Sequence, residues 1–316
     1  MLMENNHLSS PSHLSKVLQS GKFALAAELS PPKGVDRSVI EREANILKDV
    51  VDAVNVTDNQ AASVRMASIP VCAILKQLGL DPVAQMTCRD RNRLAMQSDL
   101  LGASALGIRN LLCLSGDHGR WGDHPHAKGV YDIDSNHLLW MVRNLIENGC
   151  LENGKKLSSH PEFFIGAAAN PFARPFEYRP YRLAKKVIAG ARFVQTQLIY
   201  NVQRFKEYMT KVCDLGLDNK VYILAGVGPL KSARQASYMA EKIPGMEVPL
   251  DIVTRMEKTP KAAQPEQGIQ ICCEVIEQVR SIPGVAGLHI MAVNWAESIP
   301  EILRISSLKP TDKTAI

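Results

Sequence analysis

The sequence lacks the motifs typical of a metal centre, an exported protein or a membrane protein. None of its 7 cysteines forms a C-x-x-C pair, which argues against a zinc or iron–sulfur site within this chain. No signal-type apolar stretch follows the polar N-terminus, and no apolar run approaches the length that spans a bilayer. Nothing suggests a disulfide framework either, so we expect a cytoplasmic protein with no membrane span.

A strong excess of charge of one sign is also missing. The net charge of +5 is mild and spread along the chain, so it does not predict nucleic-acid binding, and an anionic ligand explains it equally well. The 46% of hydrophobic residues is normal for a globular enzyme with a substantial core. The 316 residues suffice for one large barrel or for two ordinary domains.

The chain does contain a series of short apolar runs that end on polar residues. Four of them stop at Glu28, at Thr57, at Ser115-Gly116-Asp117 and at Gln197. Helical patterns fill the gaps between the runs, and this alternation predicts a parallel sheet. The predicted strands are 22–29, 53–57, 82–87, 110–114, 163–168, 192–197, 221–225 and 287–293. The predicted helices are 12–19, 37–48, 68–77, 91–101, 135–148 (with Ser135 as N-cap), 181–189, 202–215, 231–242, 266–281 and 298–305.

Eight strands alternating with helices favour an α/β fold of the (β/α)8 TIM-barrel type with an extra N-terminal helix. The alternative, a doubly wound sheet, usually carries a Gly-rich fingerprint in its first turn, and Glu28-Leu29-Ser30-Pro31-Pro32 lacks one. We expect a disordered start and a capping helix over residues 1–20, the barrel over 21–308 and a tail over 309–316. The helix before the first strand could plug the bottom of the barrel.

Polar residues at the carboxyl ends of barrel strands mark the usual place of an active site. Glu28 follows four apolar residues and precedes a rigid Ser-Pro-Pro turn, although such an acid can also form a salt bridge. Asp117 follows a glycine that allows close approach of a ligand, and Gln197 can both donate and accept a hydrogen bond. We predict that Glu28, Asp117 and Gln197 meet in one pocket.

The long loop 116–133 is rich in glycine, histidine and aspartate. Loops of this length in compact domains are usually functional or mobile. His118, His124 and His126 make a metal site conceivable, but ligands must converge and a Gly-rich loop does not ensure that. A loop that closes over a ligand is the interpretation that we favour.

An ordered set of short motifs across about residues 20 to 305 resembles the methylenetetrahydrofolate reductase family. The motifs are Ala27-Glu28-Leu29-Ser30-Pro31-Pro32, Val56-Thr57, Met86-Thr87-Cys88, Ser115-Gly116-Asp117, Ala189-Gly190-Ala191, Gln195-Thr196-Gln197 and Gln235. The resemblance implies a flavoprotein on a (β/α)8 barrel that reduces 5,10-methylenetetrahydrofolate to 5-methyltetrahydrofolate, in one-carbon metabolism and methionine biosynthesis.

The resemblance also implies a role for each matching residue. Glu28 would protonate N10 of the folate, and Asp117 would contact the pterin and influence the flavin. Gln197 and Gln235 would orient the folate. The positions that would lie along the flavin are Thr57, Gln85, Ser115, Gly116, Asn170, Arg174 and Lys186. No metal is implied.

Several positions depart from the family pattern. Gln85 stands where the family often has His, and Ser115, Asn170 and Arg174 replace other flavin-contacting residues, so we expect FAD with FMN as the alternative. Met239 stands where the family has a stacking aromatic ring, and this loss argues against NAD(P)H as the direct electron donor. These departures resemble the divergent branch found in anaerobes, in which a separate redox partner subunit can deliver electrons.

The expected partners are therefore a tetrahydrofolate substrate and either NAD(P)H or a redox partner subunit, within an oligomer or a hetero-complex. No nucleic acid is expected. Two alternatives stay open. One is a partner-dependent folate-binding subunit of a larger redox complex. The other is a metal-dependent hydrolase on the same barrel.

Overall fold

The computed structural model describes residues 12–243 and 245–312. The disorder expected for the first few residues and the last four residues of the predicted tail lie outside this range. The strands are Ala24–Leu29 (β1), Ala53–Val56 (β2), Pro82–Thr87 (β3), Asn110–Leu114 (β4), Phe164–Ala169 (β5), Phe193–Leu198 (β6), Tyr222–Val227 (β7) and Val285–Ile290 (β8). The helices are His13–Gln19 (α1), Arg37–Leu47 (α2), Ser68–Gln77 (α3), Arg93–Ala105 (α4), Ser135–Glu147 (α5), Arg179–Ala189 (α6), Val202–Asp214 (α7), Ala233–Lys242 (α8), Leu250–Lys258 (α9), Gln264–Val279 (α10) and Ser298–Ile305 (α11).

The eight strands close into a barrel in which every neighbouring pair is parallel and the order follows the chain. Closure comes from β1, which pairs with β2 on one side and with β8 on the other; Ala26 is opposite Ala53 and His289. The predicted (β/α)8 barrel is thereby confirmed, and the doubly wound alternative is wrong. Within the described residues, no helix is both long and apolar enough to cross a membrane.

Each strand is buried on both of its faces, which explains the near-continuous apolar runs in the sequence. Outward residues such as Leu25, Val54 and Val56 pack under the helices. Inward residues fill the lower part of the barrel, where the ring of Phe193 stacks on Phe164 with centroids 5.1 Å apart. Gly166 leaves room for this ring, because a Cβ there would lie 2.3 Å from Phe193.

The N-terminal helix α1 closes the bottom of the barrel, as the sequence suggests. Its buried residues Leu14, Val17 and Leu18 join the apolar cluster formed by the lower inward residues. The backbone N–H of Leu14 donates to Asp81 at 2.8 Å, and His13 lies 3.4 Å from Asp52. Because Asp52 and Asp81 directly precede β2 and β3, these contacts tie α1 to the amino ends of the strands.

The structure corrects several local predictions. Most element boundaries shift by one to three residues, and β8 ends at Ile290 rather than at residue 293. Asp134, not Ser135, caps α5, because its carboxylate accepts from the N–H of His137. Helix α9 was not predicted. Its nine residues begin directly after Pro249, between α8 and α10, where the strand–helix alternation offers no place for a further helix.

Candidate functional site

An amide pair crosses the inside of the barrel above the apolar lower half. Asn55 of β2 and Gln195 of β6 exchange two hydrogen bonds of 2.5 and 2.9 Å, and both side chains are buried. Each amide thus satisfies the other, as buried polar groups require. Gln195 faces the space above, so the pair forms part of the floor of a cavity.

A cavity of about 450 Å³ opens at the carboxyl ends of the strands. This size is in the usual range for a small-molecule or cofactor site. Its lining comes from β1, β3, β4, β5, β6, β8, α5 and α6 and from the loops that follow the strands. The polar lining residues are Glu28, Gln85, Ser115, Asp117, Ser135, Asn170, Arg179, Arg182, Lys186, Gln195, Thr196, Gln197 and His289.

The cavity brings together Glu28, Asp117 and Gln197, which the sequence predicts to share one pocket. Gln85, Ser115, Asn170 and Lys186, predicted as cofactor-binding residues, also line it. They converge because β1, β3, β4, β5 and β6 all end at the same mouth of the barrel.

Glu28 lies at the upper end of β1, with 19% of its side chain exposed. Burial raises the pKa of this carboxyl from 4.5 to about 7, and a hydrogen bond with Gln85 partly opposes the shift. An acid whose pKa is close to neutral can hold a proton and release it at the pH of the cell. The position is therefore suited to general acid chemistry.

His289 of β8 lies beside Glu28, and sequence reasoning missed it. Its Nε2 is 3.8 Å from the Glu28 carboxylate, and neither ring nitrogen forms a hydrogen bond with a described residue. Burial lowers the pKa of His289 to about 3, so the ring is neutral. The available signal was its place on the inward face of the last strand, between the buried Leu288 and Ile290.

Asp117 lies on the rim, where the loop after β4 meets the loop after β2. Gly116 has a φ of +87°, a conformation that glycine adopts without strain, and it turns the chain into the cavity mouth. The Asp117 carboxylate accepts from the backbone N–H of Ala61 at 3.0 Å. Nearby, the hydroxyl of Ser115 donates to Ser135 at 3.1 Å.

One wall of the cavity is cationic. Arg179, Arg182 and Lys186 lie on one face of α6, and no carboxylate of the described residues forms an ion pair with any of them. Burial and the neighbouring Arg182 lower the pKa of Lys186 to about 8, and its ammonium donates to the carbonyl of Ala168. Three cations without carboxylate partners favour an anionic ligand. The sequence predicted only Lys186 of the three.

Four predicted ligand-binding residues do not line this cavity. The hydroxyl of Thr57 donates to Gln60 at 2.6 Å, and Gly116 contributes backbone geometry only. Gln235 accepts from the N–H of Lys231 at 2.7 Å, and Arg174 is exposed beside the turn that precedes α6. Their proposed roles would require contacts outside the cavity or movement of their side chains.

The histidine-rich loop makes contacts of a different kind. His118 accepts from the N–H of Arg120, and His124 lies 2.8 Å from Asp123. Asp123 in turn accepts from the N–H of Val64 and pairs with Lys33 at 3.4 Å. Among the described residues, no group of three or more His, Cys, Asp or Glu side chains is arranged to hold a metal ion.

The sequence model of one protein family, described as methylenetetrahydrofolate reductase, matches residues 13–307. Among curated relatives, a probable methylenetetrahydrofolate reductase (NADPH) of Caenorhabditis elegans is 26% identical over 247 residues, covering 76% of this chain and 34% of the relative. Methylenetetrahydrofolate reductase (NADH) 1 of Arabidopsis thaliana is 22% identical over 304 residues, covering 92% of this chain and 49% of the relative. The chain thus spans about a third to a half of the length of these relatives.

Solved structures share the fold at low sequence identity. An uncharacterized protein from Clostridium thermocellum, described as binding two copies of 5-methyl-5,6,7,8-tetrahydrofolic acid, superposes with a TM-score of 0.65 at 12% identity. The match covers 93% of this chain and 99% of that protein. A long-chain alkane monooxygenase gives a TM-score of 0.53 at 10% identity, covering 92% of this chain and 93% of its own. Likeness at these identities establishes the barrel and nothing about its ligands.

Proposed function

Because this chain belongs to the methylenetetrahydrofolate reductase family, we propose that it reduces 5,10-methylenetetrahydrofolate to 5-methyltetrahydrofolate with a bound flavin. The observation that carries the proposal is Glu28. This carboxyl has a pKa raised to about 7 and lies in a cavity that also holds amide side chains and a cationic wall. Those are the groups that acid-assisted reduction of a charged heterocycle requires.

Glu28 would act as the general acid. In its protonated form it would donate to N10 of the folate, which opens the five-membered ring to the iminium that accepts a hydride. A pKa of about 7 keeps a large fraction of Glu28 protonated near neutral pH, and a positioned acid of this kind contributes about 10²–10⁴-fold to the rate. The neutral His289, 3.8 Å away, would come within hydrogen-bond distance of Glu28 through a small movement.

The cavity fits a flavin in two respects. Arg179, Arg182 and Lys186, which have no carboxylate partner among the described residues, suit the phosphate of a flavin nucleotide, and Asn170 and Ser115 offer hydrogen bonds beside them. When bound, the flavin would supply the hydride from N5. The chain would hold it through Gln85, Ser115, Asn170 and Lys186, with Thr57, Gly116 and Arg174 as further candidates. FAD is proposed, with FMN as the alternative.

Asp117 and Gln197 would orient the folate. Gln197 can donate to and accept from the amide edge of the pterin, and its own oxygen already accepts from the N–H of Leu198 at 2.9 Å, which orients the side chain. Asp117 on the rim would accept from the amino group of the pterin. Gln235 would take part only if its bond to Lys231 opens.

Electrons would come from NAD(P)H or from a redox partner subunit in a hetero-complex or oligomer. Met239 stands where the sequence comparison expects an aromatic ring, and it is buried in the cluster around α8, with the Tyr200 hydroxyl 3.9 Å from its sulfur. It therefore offers no surface on which nicotinamide could stack. This favours delivery of electrons by a partner over direct use of NAD(P)H.

The test is to purify the protein, release its cofactor by heat and identify it by chromatography. The flavin is then reduced anaerobically with a reduced dye as electron donor. Methylenetetrahydrofolate is added while the visible absorption band of the flavin is followed. We expect the band to return as 5-methyltetrahydrofolate forms. The proposal would be refuted by protein that stays colourless after flavin is supplied. It would also be refuted by reduced flavin that methylenetetrahydrofolate does not reoxidise. Parallel assays with NADH, NADPH and dye identify the donor.

A further inference from the structure

Arg89 joins three loops at the mouth of the barrel. It follows β3, its side chain is only 5% exposed, and its charge is balanced by Asp90 at 2.7 Å. One terminal nitrogen donates to the carbonyl of Asn59 at 3.0 Å, and the other donates to the carbonyl of Asp117 at 3.1 Å. A single buried guanidinium therefore ties the chain after β2 and after β4 to the end of β3.

The loop after β2 is held in a strained shape where it meets Asp117. Asn59, Ala61 and Ala62 all have φ between 47° and 53°, in the left-handed region that residues other than glycine seldom adopt. Each such residue costs on the order of 1 kcal/mol and persists only when its surroundings enforce it. The N–H of Ala61 is the group that the Asp117 carboxylate accepts from. The strained loop thus sets the direction of this carboxylate.

Arg89 also packs against the backbone just before Asp117. A Cβ on Gly116 would lie 3.0 Å from the Cβ of Arg89 and 3.1 Å from that of Thr87. The hydroxyl of Tyr131 donates to the same Asp117 carbonyl at 3.2 Å. Two donors therefore fix the Asp117 carbonyl, and of these two only Arg89 also reaches the loop after β2.

We propose that Arg89 is a positioning residue for folate binding: it fixes the backbone of Asn59 and of Asp117, and thereby holds the Asp117 carboxylate against Ala61 in the direction the pterin requires. The proposal rests on the folate-binding role proposed for Asp117. Arg89 itself does not line the cavity. Its effect must therefore pass through Asp117, which distinguishes it from a ligand contact.

The experiment is a double-mutant cycle on the flavin-loaded protein. Binding of 5-methyltetrahydrofolate is titrated through the change in the flavin spectrum for wild type, Arg89→Lys, Asp117→Ala and the double variant. Lysine keeps the charge but cannot reach both carbonyls, so we expect folate to bind about tenfold more weakly, as for loss of a charged hydrogen bond. In the Asp117→Ala background the same change should have no further effect.

Two further variants keep the test decisive. Arg93→Lys, at a surface ion pair outside the cavity, is the matched control and should bind folate as wild type does. Tyr131→Phe removes only the second bond to the Asp117 carbonyl, and we expect this variant to fold because Tyr131 is exposed. We expect Tyr131→Phe to bind folate about twofold more weakly. In the Asp117→Ala background the same substitution should cause no further weakening. If Arg89→Lys does not fold, this variant tests the step that Arg89 and Tyr131 share, which is the fixing of the Asp117 carbonyl.

The outcomes separate the two proposals. Failure of the wild type to bind 5-methyltetrahydrofolate overturns the proposed function, and the role of Arg89 falls with it. A wild type that binds, together with effects of Arg89→Lys and Asp117→Ala that multiply, overturns the positioning role alone. Loss of flavin content in step with folate affinity would likewise make Arg89 a structural residue.

Discussion

The lower and upper halves of the barrel are built from the same eight strands but differ in what their inward side chains do. Below, Ala24, Val83, Phe164 and Phe193 pack with helix α1 into a sealed apolar cluster. Above, Glu28, Gln85 and Gln197, one or two inward positions further along β1, β3 and β6, line an open cavity together with His289 of β8. The Asn55–Gln195 pair lies at the boundary.

The difference shows how the barrel separates stability from chemistry. The apolar layer contributes burial of large side chains and needs no special protonation state. The polar layer holds an acid and an imidazole out of water, and their pKa values move in opposite directions for the same physical reason, desolvation of the charged form. Substitutions in the two halves should therefore have separable effects.

The largest effect should follow Glu28→Gln in the upper half. We expect folate-dependent reoxidation of the reduced flavin to slow about 10³-fold, or about 4 kcal/mol, because glutamine has no proton to give. Flavin content and reduction by a dye should stay within about twofold. Stopped-flow measurement of the two half-reactions checks this, with Glu43→Gln, a partly buried acid outside the cavity, as control. Normal folate turnover would remove Glu28 from the mechanism.

In the lower half, Phe193→Ala should lower the stability of the fold by an amount similar to the loss of about 4 kcal/mol expected for the reaction of Glu28→Gln. Its fully buried ring is stacked on Phe164, and removal of such a side chain typically lowers the free energy of unfolding by about 3–5 kcal/mol. Urea unfolding measures it, with the partly exposed Phe176→Ala as control. The folded fraction should keep its flavin chemistry. Selective loss of folate turnover would contradict the separation of the two halves.

The pH dependence of stability should expose the cost of the upper half. Between pH 4.5 and about 7, native Glu28 keeps a proton that the unfolded chain has released, so wild-type stability falls as the pH rises through this window. Across the whole window the loss of stability from this one carboxyl reaches at most about 3 kcal/mol. Glu28→Gln lacks this contribution. The free energy of unfolding of this variant, relative to wild type, should rise across the window and level off above it. Parallel curves would show that folding does not raise the pKa of Glu28.

The smallest of these effects tests the cationic wall. Lys186→Met keeps the length of the side chain and removes its charge, so flavin should bind about tenfold more weakly. Lys185→Met, at the exposed neighbouring position on the same helix, is the matched control and should not change flavin affinity. Equilibrium dialysis of the deflavinated protein measures both. Equal losses in the two variants would indicate a general electrostatic effect in place of a contact.

The barrel and its cavity mouth could be predicted because they depend on local patterns. Buried parallel strands appear as apolar runs, and the residues Glu28, Asp117 and Gln197 stand where those runs stop. The end of a strand is a position along the chain, so its place at the mouth of the barrel follows once the fold class is known. Of the remaining eight predicted positions, four line the cavity and four do not.

The features that sequence analysis missed depend on residues that are distant in the chain and close in space. Helix α9 follows directly on another helix with no strand between them, so the strand–helix alternation does not announce it, and it packs against α8 and α10. His289 reads as one more residue of a buried strand, and Arg179 and Arg182 read as a solvated helix face. Nothing near them in the sequence says that they border the same space as Glu28.

The sequence by itself determined the alternation of strands and helices, the inward or outward face of each strand residue and the polar groups at the strand ends, since these follow from the backbone period. Only the tertiary structure decided which groups meet. Closure of β1 onto β8 places His289 beside Glu28, 261 positions away in the chain, and packing around them removes the water that would keep their pKa values ordinary. Desolvation depends on all the atoms around a group, so no local pattern carries it.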